Sequence, residues 1–347
     1  MKKILLIRGD ALSPYYQALE GELSTSFPLV RGTREGYYRQ ARVLIVLNLN
    51  NIGKDFEVLE MLSHLKERNS EAFRGSFCAL VVFSKGALFT KEAAREVVFL
   101  INEMGGIFFG APLVEALGDL ENLKKWSHKL EITLEETLKA RVVALLERLV
   151  KVELQWIAHP RLLVLHADRD LDRSNTHLYF KEVSRSFEFE YKVIHVEDGT
   201  VMDCRGCSFK TCSYYAENNS CFYGGVMVKE ILPAIEEADA ILWLLPNYND
   251  AISAKLMAVI NRLGVLFKKH PLMDKNIFAI AVSGNSGSDS VLKQLIGALN
   301  INKGYRLPPR FSLHSIANDA GEIAQRKDFA GSARAFGEHM NREVHWK

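Results

Sequence analysis

The sequence lacks an excess of either charge. Its 44 lysines and arginines nearly balance its 42 aspartates and glutamates and leave a formal net charge of +2. A clear positive excess marks proteins that bind nucleic acids or anionic membrane surfaces, so we expect neither as a partner. Small molecules and proteins are the partners that this balance favours.

Long apolar runs are also missing. The N-terminal run from Ile4 to Ile7 holds four residues and ends at Arg8, which is too short for a signal peptide. No stretch approaches the roughly 18 to 20 uninterrupted apolar residues that cross a bilayer. We therefore expect a cytoplasmic protein, in a compartment that keeps thiols reduced.

What the sequence does contain is a repeating α/β pattern. Short runs rich in Val, Ile and Leu alternate with helix-like stretches, and these runs are apolar throughout, which is typical of parallel strands covered on both faces. The runs are 4–7, 42–47, 78–83, 162–165, 240–245 and 277–282. With 347 residues, the chain is long enough for two such domains.

An amphipathic stretch separates the two halves. Its apolar residues recur at three- and four-residue spacing, which marks one face of a helix, and His159-Pro160 then interrupts the pattern. The sequence therefore predicts a first α/β domain over residues 1–127, a linker helix over 128–159 and a second domain over 160–347.

The two halves also resemble each other when their residue numbers are offset by a constant 199, the separation of Asn48 from Asn247. The coinciding residues are Asn48 and Asn247, Asn50 and Asn249, Ser84 and Ser283, and Gly105 and Gly304. We interpret this as a tandem duplication of one α/β domain.

A polar loop, residues 167–176, follows the first strand of the second half and leads into a helix. It contains Arg169, Arg173 and the triplet Ser174-Asn175-Thr176. Backbone N–H groups at a helix N-terminus can hold a phosphate, and an arginine can neutralise it. Alternatively, Ser174 is only an N-cap and the arginines are solvated.

Two further loops follow predicted strands of the same half. One contains an aromatic ring and several amides, which suit a flat ring system rich in heteroatoms, and the other is rich in small residues that let a ligand approach the backbone. They span residues 246–253 and 283–288. Each alone would be an ordinary turn, but the carboxyl ends of parallel strands meet at one rim, where ligands bind.

Together these loops resemble the NADPH-dependent FMN reductase and iron–sulfur flavoprotein group of the flavodoxin-like superfamily. The resemblance covers residues 160–310 and rests on Ser174-Asn175-Thr176, Pro246-Asn247-Tyr248, Ser253, Lys255, Asn261-Arg262 and the segment 283–287. It implies two tandem flavodoxin-like domains, each a doubly wound parallel sheet in three α/β/α layers. It also implies an FMN cofactor, NAD(P)H as electron donor and a homodimer.

The resemblance further implies which residues hold FMN. It assigns binding of the phosphate to Arg173, Ser174, Asn175 and Thr176. It assigns contact with the isoalloxazine ring to Pro246, Asn247, Tyr248, Asn249, Asp250, Ser283, Gly284, Asn285 and Gly287. No catalytic side chain is implied, because the flavin carries the redox chemistry. This chain departs from the family at Asp168 and Asp170, which must point away from the phosphate or weaken its binding.

Four of the five cysteines lie within 18 residues, at Cys204, Cys207, Cys212 and Cys221. Four thiolates at this density are the ligand set of an iron–sulfur cluster or a zinc site. The resembling iron–sulfur flavoproteins carry a compact cysteine motif here, with tighter spacing. A [4Fe–4S] cluster, zinc and metal-free thiols are thus the alternatives, while Cys78, within an apolar strand, is a core residue.

The first half has no equivalent of the Ser-Asn-Thr triplet, so we expect its copy to have lost the phosphate site. The function implied is an FMN-dependent NAD(P)H oxidoreductase resembling flavin and quinone reductases, with a small-molecule electron acceptor or a redox protein as partner. One alternative is an iron–sulfur flavoprotein that carries electrons with FMN and a [4Fe–4S] cluster. The other is a non-catalytic flavodoxin-like scaffold.

Overall fold

A computed structural model describes residues 2–196, 201–269 and 272–347. The chain divides into two compact units, Met1–Glu153 and Leu154–Lys347. Within the described parts of the chain, every helix is too short or too polar to cross a lipid bilayer.

The first unit is built on a parallel sheet of five strands in the order β2-β1-β3-β4-β5. The strands are β1 (Ile4–Arg8), β2 (Leu29–Arg31), β3 (Arg42–Leu49), β4 (Phe77–Ser84) and β5 (Ile107–Leu117). The helices are α1 (Pro14–Ser26), α2 (Phe56–Arg68), α3 (Thr90–Glu103), α4 (Lys124–Leu130) and α5 (Leu134–Lys151). The inner strand β4, which lies between β3 and β5, is buried over all but its last residue, which explains its unbroken apolar sequence.

Helix α5 completes the first unit. It begins with a capping box, in which Glu136 N–H donates to Thr133 Oγ1 at 3.1 Å and Thr133 N–H donates to the Glu136 carboxylate at 2.9 Å. Its apolar face, which includes the buried Leu138, Val142 and Leu146, packs on β3, β4 and β5. The sequence predicted one linker helix over residues 128–159. The structure instead has two helices in this region, α4 and α5, and the longer helix α5 packs on the first sheet.

The second unit repeats the arrangement, with five parallel strands in the order β10-β9-β8-β6-β7. The strands are β6 (Leu162–His166), β7 (Tyr191–His195), β8 (Ala240–Pro246), β9 (Asn276–Ser283) and β10 (Ser312–Ile316). The helices are α6 (Asn175–Ser184), α7 (Phe209–Ala216), α8 (Leu232–Glu237), α9 (Ala254–Arg262), α10 (Gly264–Lys269), α11 (Ser288–Leu295) and α12 (Phe329–Glu343).

Both sheets thus have the strand order 2-1-3-4-5 when each is numbered from its own first strand, which is the order of flavodoxin-like folds. The predicted fold class, two tandem flavodoxin-like domains with parallel sheets, is confirmed. The strand bounds also follow the offset of 199 residues, since β4 and β9 begin and end at corresponding residues. Gly105 and Gly304 also share a positive φ, of 88° and 81°.

Candidate functional site

A cavity of about 830 Å³ opens at the carboxyl ends of the strands of the second unit. Its wall is made by the loops that follow β6, β8, β9 and β10. The volume lies within the range of pockets that enclose small ligands and cofactors. The three loops singled out in the sequence therefore converge, and a fourth loop joins them.

Eight of the residues expected to hold the cofactor line this cavity. They are Arg173, Ser174, Asn175, Thr176, Pro246, Asn247, Tyr248 and Gly284. Other expected residues, Asn249, Asp250, Ser283, Asn285 and Gly287, are not in its wall. Wall residues that were not expected to hold the cofactor include Asp168, Arg169, Asp170, Ser253, Lys255 and, after β10, Ala317, Asn318 and Ala320.

The N-terminus of α6 forms one end of the cavity. Ser174 is the N-cap, and its hydroxyl accepts a hydrogen bond from His177 N–H at 3.3 Å, while its own N–H donates to Asp170 O at 2.8 Å. The first turn of the helix therefore meets the cavity at Ser174, Asn175 and Thr176. Free N–H groups, the helix dipole and the nearby Arg169 and Arg173 make this end suitable for an anion.

Asn175 braces two loops with its side chain. Its Nδ2 group donates to Ala317 O at 3.2 Å and to Asp319 O at 2.9 Å, and its Oδ1 accepts from Ile323 N–H at 3.1 Å. Both N–H donors of the amide are thus engaged within the protein. Asn175 can offer a ligand its backbone N–H, and its side chain instead fixes the loop after β10 against α6.

Asn247 joins the loops after β8 and β9. Its Nδ2 group lies 2.9 Å from Ser283 Oγ, 3.1 Å from Ser286 O and 3.1 Å from Asp250 Oδ1. Ser283 and Asp250 therefore stand behind the cavity wall and hold Asn247 in place. Asn247 Oδ1 and the hydroxyl of Ser253 are buried wall atoms that make no hydrogen bond within the described protein, and a polar ligand can satisfy both.

Tyr248 stands at the corner of a tight turn. Asn249 and Asp250 have φ values of 55° and 56°, and Ala251 N–H donates to Tyr248 O at 3.2 Å. Two consecutive residues with positive φ define a type I′ turn, and Asn and Asp tolerate that conformation better than most side chains. The turn leaves Tyr248 60% exposed beside the cavity.

Part of the second unit matches a known family model. Residues 160–318 match the family model of NADPH-dependent FMN reductase. No curated protein matches the chain.

Solved structures with some similarity include three oxidoreductase or flavin-related proteins. RosB, solved with bound 8-demethyl-8-formylriboflavin-5′-phosphate, is 15% identical over 54% of this chain and 77% of its own, with a TM-score of 0.43. An azoreductase from Bacillus anthracis is 14% identical over 53% and 99%, with a TM-score of 0.37. An NAD(P)H:quinone oxidoreductase from Methanothermobacter marburgensis is 13% identical over 53% and 98%, with a TM-score of 0.37.

Two acidic residues lie in the loop between β6 and α6. Asp168 is only 4% exposed and Asp170 is exposed, and both contribute to the cavity wall. Burial raises the pKa of the Asp168 carboxyl, while a hydrogen bond from Ser174 and the charges of His195 and Lys255 oppose the shift. Lys255, on α9, is therefore placed to offset a negative charge in this wall.

The four clustered cysteines line a second, smaller cavity of about 90 Å³. Their thiols are free, and Cys204 is the most exposed of them. The buried Arg262, at the end of α9, holds the segment at two points, through Nη1 to Met202 O at 3.3 Å and Nη2 to Gly224 O at 3.0 Å. The Asn261-Arg262 pair of the family pattern thus anchors the cysteine segment in this chain.

Lys303 lies near two of the cysteines. Burial lowers the pKa of Lys303, and the nearby thiols of Cys204 and Cys212 oppose that shift. Lys268, on α10, lies 4.3 Å above the ring of Phe209, the first residue of α7.

The corresponding edge of the first unit differs. There Glu57 accepts a hydrogen bond from Asp10 N–H, and Asp10 pairs with Arg31. Helix α1 begins with Pro14 at its first position, which supplies no N–H group. This edge therefore presents fewer N–H donors for a phosphate than the N-terminus of α6 does.

Proposed function

We propose that the second domain binds FMN and that the protein is an FMN-dependent oxidoreductase that takes electrons from NAD(P)H. The observation that carries the proposal is the single cavity in which the N-terminus of α6, two arginines and the loops after β8 and β9 meet. The match of residues 160–318 to the family model of NADPH-dependent FMN reductase supports the same cofactor.

The proposal assigns each part of the cavity wall to one part of the FMN molecule. Backbone N–H groups of Asn175 and Thr176 hold the phosphate beside the N-cap Ser174, and Arg173 neutralises it. Pro246-Asn247-Tyr248 and Gly284 border the isoalloxazine ring, whose polar edge can pair with Asn247 Oδ1. Bound FMN supplies the redox chemistry, accepting a hydride and passing electrons on. The protein positions the ring and excludes water, so no side chain needs to act as acid or base.

The test is a fluorescence titration of flavin-free protein with FMN, comparing wild type with Arg173→Ala. Loss of a charge-assisted hydrogen bond to phosphate should raise the dissociation constant roughly 10- to 100-fold. Arg185→Ala is the matched control, because Arg185 lies at the other end of α6 in an exposed ion pair with Glu182. Equal affinity in all three proteins would contradict the phosphate assignment. Failure of wild type to bind FMN would favour the scaffold alternative.

The second candidate is an electron carrier in which FMN works with a [4Fe–4S] cluster. The specific observation is that all four cysteines of the segment line one cavity, as the four thiolate ligands of one cluster would. Iron and zinc analysis of anaerobically purified protein tests it. About four irons per chain support the cluster, about one zinc per chain supports the zinc site, and neither metal indicates free thiols. Steady NAD(P)H oxidation with a small-molecule acceptor separates an enzyme from a carrier that reacts only with a redox protein.

The resemblance also implies a homodimer, which we propose as the assembly. Sedimentation equilibrium should then give a mass near twice the chain mass of 39.2 kDa. A mass equal to that of one chain would overturn the dimer and leave the FMN proposal as it stands.

A further inference from the structure

Two histidines and an aspartate converge below the loop that follows β6. His166 is the last residue of β6, Asp168 follows two residues later, and His177 lies in the first turns of α6. One ligand atom from each of the three residues lies within 4.8 Å of the others. His166 Nδ1 and Asp168 Oδ2 are 4.0 Å apart.

These atoms have no hydrogen-bond partner in the described protein. His166 Nδ1, Asp168 Oδ2 and His177 Nδ1 are all buried, and the residues His166 and Asp168 are only 2% and 4% exposed. Buried polar atoms are nearly always hydrogen-bonded, so an unpaired set calls for an ion or water. Because one ligand atom from each of the three residues lies within 4.8 Å of the others, the three side chains together offer a position for one bound ion or water.

The ring of His166 is held in place. His195, at the end of β7, stacks on it with ring centroids 4.6 Å apart and an angle of 3° between the planes. The stacking restrains rotation of the imidazole and keeps its Nδ1 atom 4.0 Å from Asp168 Oδ2. Ligand orientation by neighbouring groups is a regular feature of protein metal sites.

We propose that His166, Asp168 and His177 bind a divalent transition-metal ion, with zinc as the best match. Two imidazole nitrogens and one carboxylate oxygen are a common donor set for zinc, with the fourth position left to water or another ligand. Zinc–nitrogen bonds of about 2.1 Å place tetrahedral ligand atoms about 3.4 Å apart. The ligand atoms, which already lie within 4.8 Å of one another, therefore need to approach by at most about 1.4 Å.

The site has a consequence for the cavity, because Asp168 also lines the cavity wall. A bound cation neutralises the carboxylate next to the N-terminus of α6. This consequence rests on the proposed FMN phosphate site, whereas the metal site itself does not.

The experiment measures zinc bound by flavin-free, full-length protein after dialysis against chelator and then against zinc. Wild type is compared with His177→Gln, and His314→Gln is the matched control because His314 is an exposed histidine on β10. We expect His177→Gln to hold one zinc ion fewer than wild type, or to bind that ion at least tenfold more weakly, and the control to match wild type. Zinc on the cysteines is present in all three proteins, so the difference isolates the histidine site.

Asp168→Asn, which preserves the side-chain shape, is the second variant. It should lower the zinc count as His177→Gln does, and circular dichroism checks that both variants fold. Cobalt supplies the spectroscopic reading: the difference spectrum between wild type and either variant should show visible cobalt bands without thiolate charge-transfer absorption. Identical zinc counts and cobalt spectra in wild type and both variants would overturn the proposal and assign the cluster to bound water. Because no flavin is present, a failure of FMN binding leaves this result unaffected.

Discussion

At the scale of single residues, His339 on α12 makes the stability of the protein sensitive to acid. Burial lowers the pKa of this imidazole from 6.5 to about 4, the hydrogen bond to Pro309 O opposes the shift, and the charges of Arg342 and Arg310 reinforce it. As the pH falls from 6.5 towards 4, the unfolded chain binds a proton that the native protein does not. The contribution to stability is therefore complete above pH 6.5 and is lost towards pH 4, with about 2 kcal/mol lost by about pH 5.

His339→Gln removes this titration and keeps a side-chain donor for Pro309 O, which lies 2.7 Å from His339 Nε2. Urea unfolding at about pH 7.5 and about pH 5 should show a smaller loss of unfolding free energy in the variant, by about 2 kcal/mol. His314→Gln should keep the wild-type dependence, because His314 is exposed. The same pH dependence in His339→Gln and wild type would show that the buried imidazole does not produce the effect.

Asn175 illustrates what the sequence could and could not predict at this scale. The triplet Ser174-Asn175-Thr176 correctly indicated the N-terminus of α6, and these residues line the cavity. The bracing role of the Asn175 side chain could not be predicted, because its partners Ala317 and Asp319 lie more than 140 residues away along the chain. The chemistry of an amide is visible in a sequence, but the atoms that satisfy it are not.

At the scale of loops, Gly287 allows the segment after β9 to meet the turn after β8. Its φ is +86°, and a Cβ atom added there would collide with the Asp250 carboxylate. Gly287→Ala should therefore lower the unfolding free energy by about 1–3 kcal/mol, because it combines a strained backbone with a steric conflict. It should also weaken FMN binding, since Asn247 is held by the same loop. Urea unfolding and FMN titration measure the two effects.

Gly331→Ala is the matched control for that change. Gly331 lies in α12 with open space around the position of a Cβ atom, so alanine there should leave stability unchanged or raise it by up to about 1 kcal/mol. If both variants have the stability of wild type, the loop contact between Gly287 and Asp250 does not constrain the fold.

At the same scale, the apolar strands were predictable and two other elements were not. The runs 240–245 and 277–282 correspond to β8 and β9, because strands covered on both faces leave a continuous apolar signal. Strand β10, Ser312–Ile316, is exposed or half-buried along its length. Its sequence therefore has no such signal, and the cavity residues that follow it could not be assigned. Helix α5 had a clear apolar face, but the sequence did not show which surface covers it.

At the scale of the whole molecule, the duplication was the most informative feature of the sequence. An offset of 199 residues predicted two copies of one domain, and the two sheets share their strand order. The apolar pattern of the strands persists although the two copies have diverged in sequence, because each copy must bury its corresponding strands. Whether the corresponding edge of the first unit can bind a phosphate depends instead on local contacts, such as the hydrogen bond from Asp10 N–H to Glu57. Such contacts cannot be recognised from the apolar pattern.

The shared strand order also has a consequence for how the chain folds. Each half must select its own strands during folding, although the other half offers parallel apolar strands in the same order, and repeat proteins are prone to such misassembly. Trp243 in β8 occupies the place that Leu44 occupies in β3, and both side chains are fully buried. An indole cannot enter a space shaped for leucine without severe overpacking. Divergence at this one position therefore helps the chain to keep its two halves from exchanging strands.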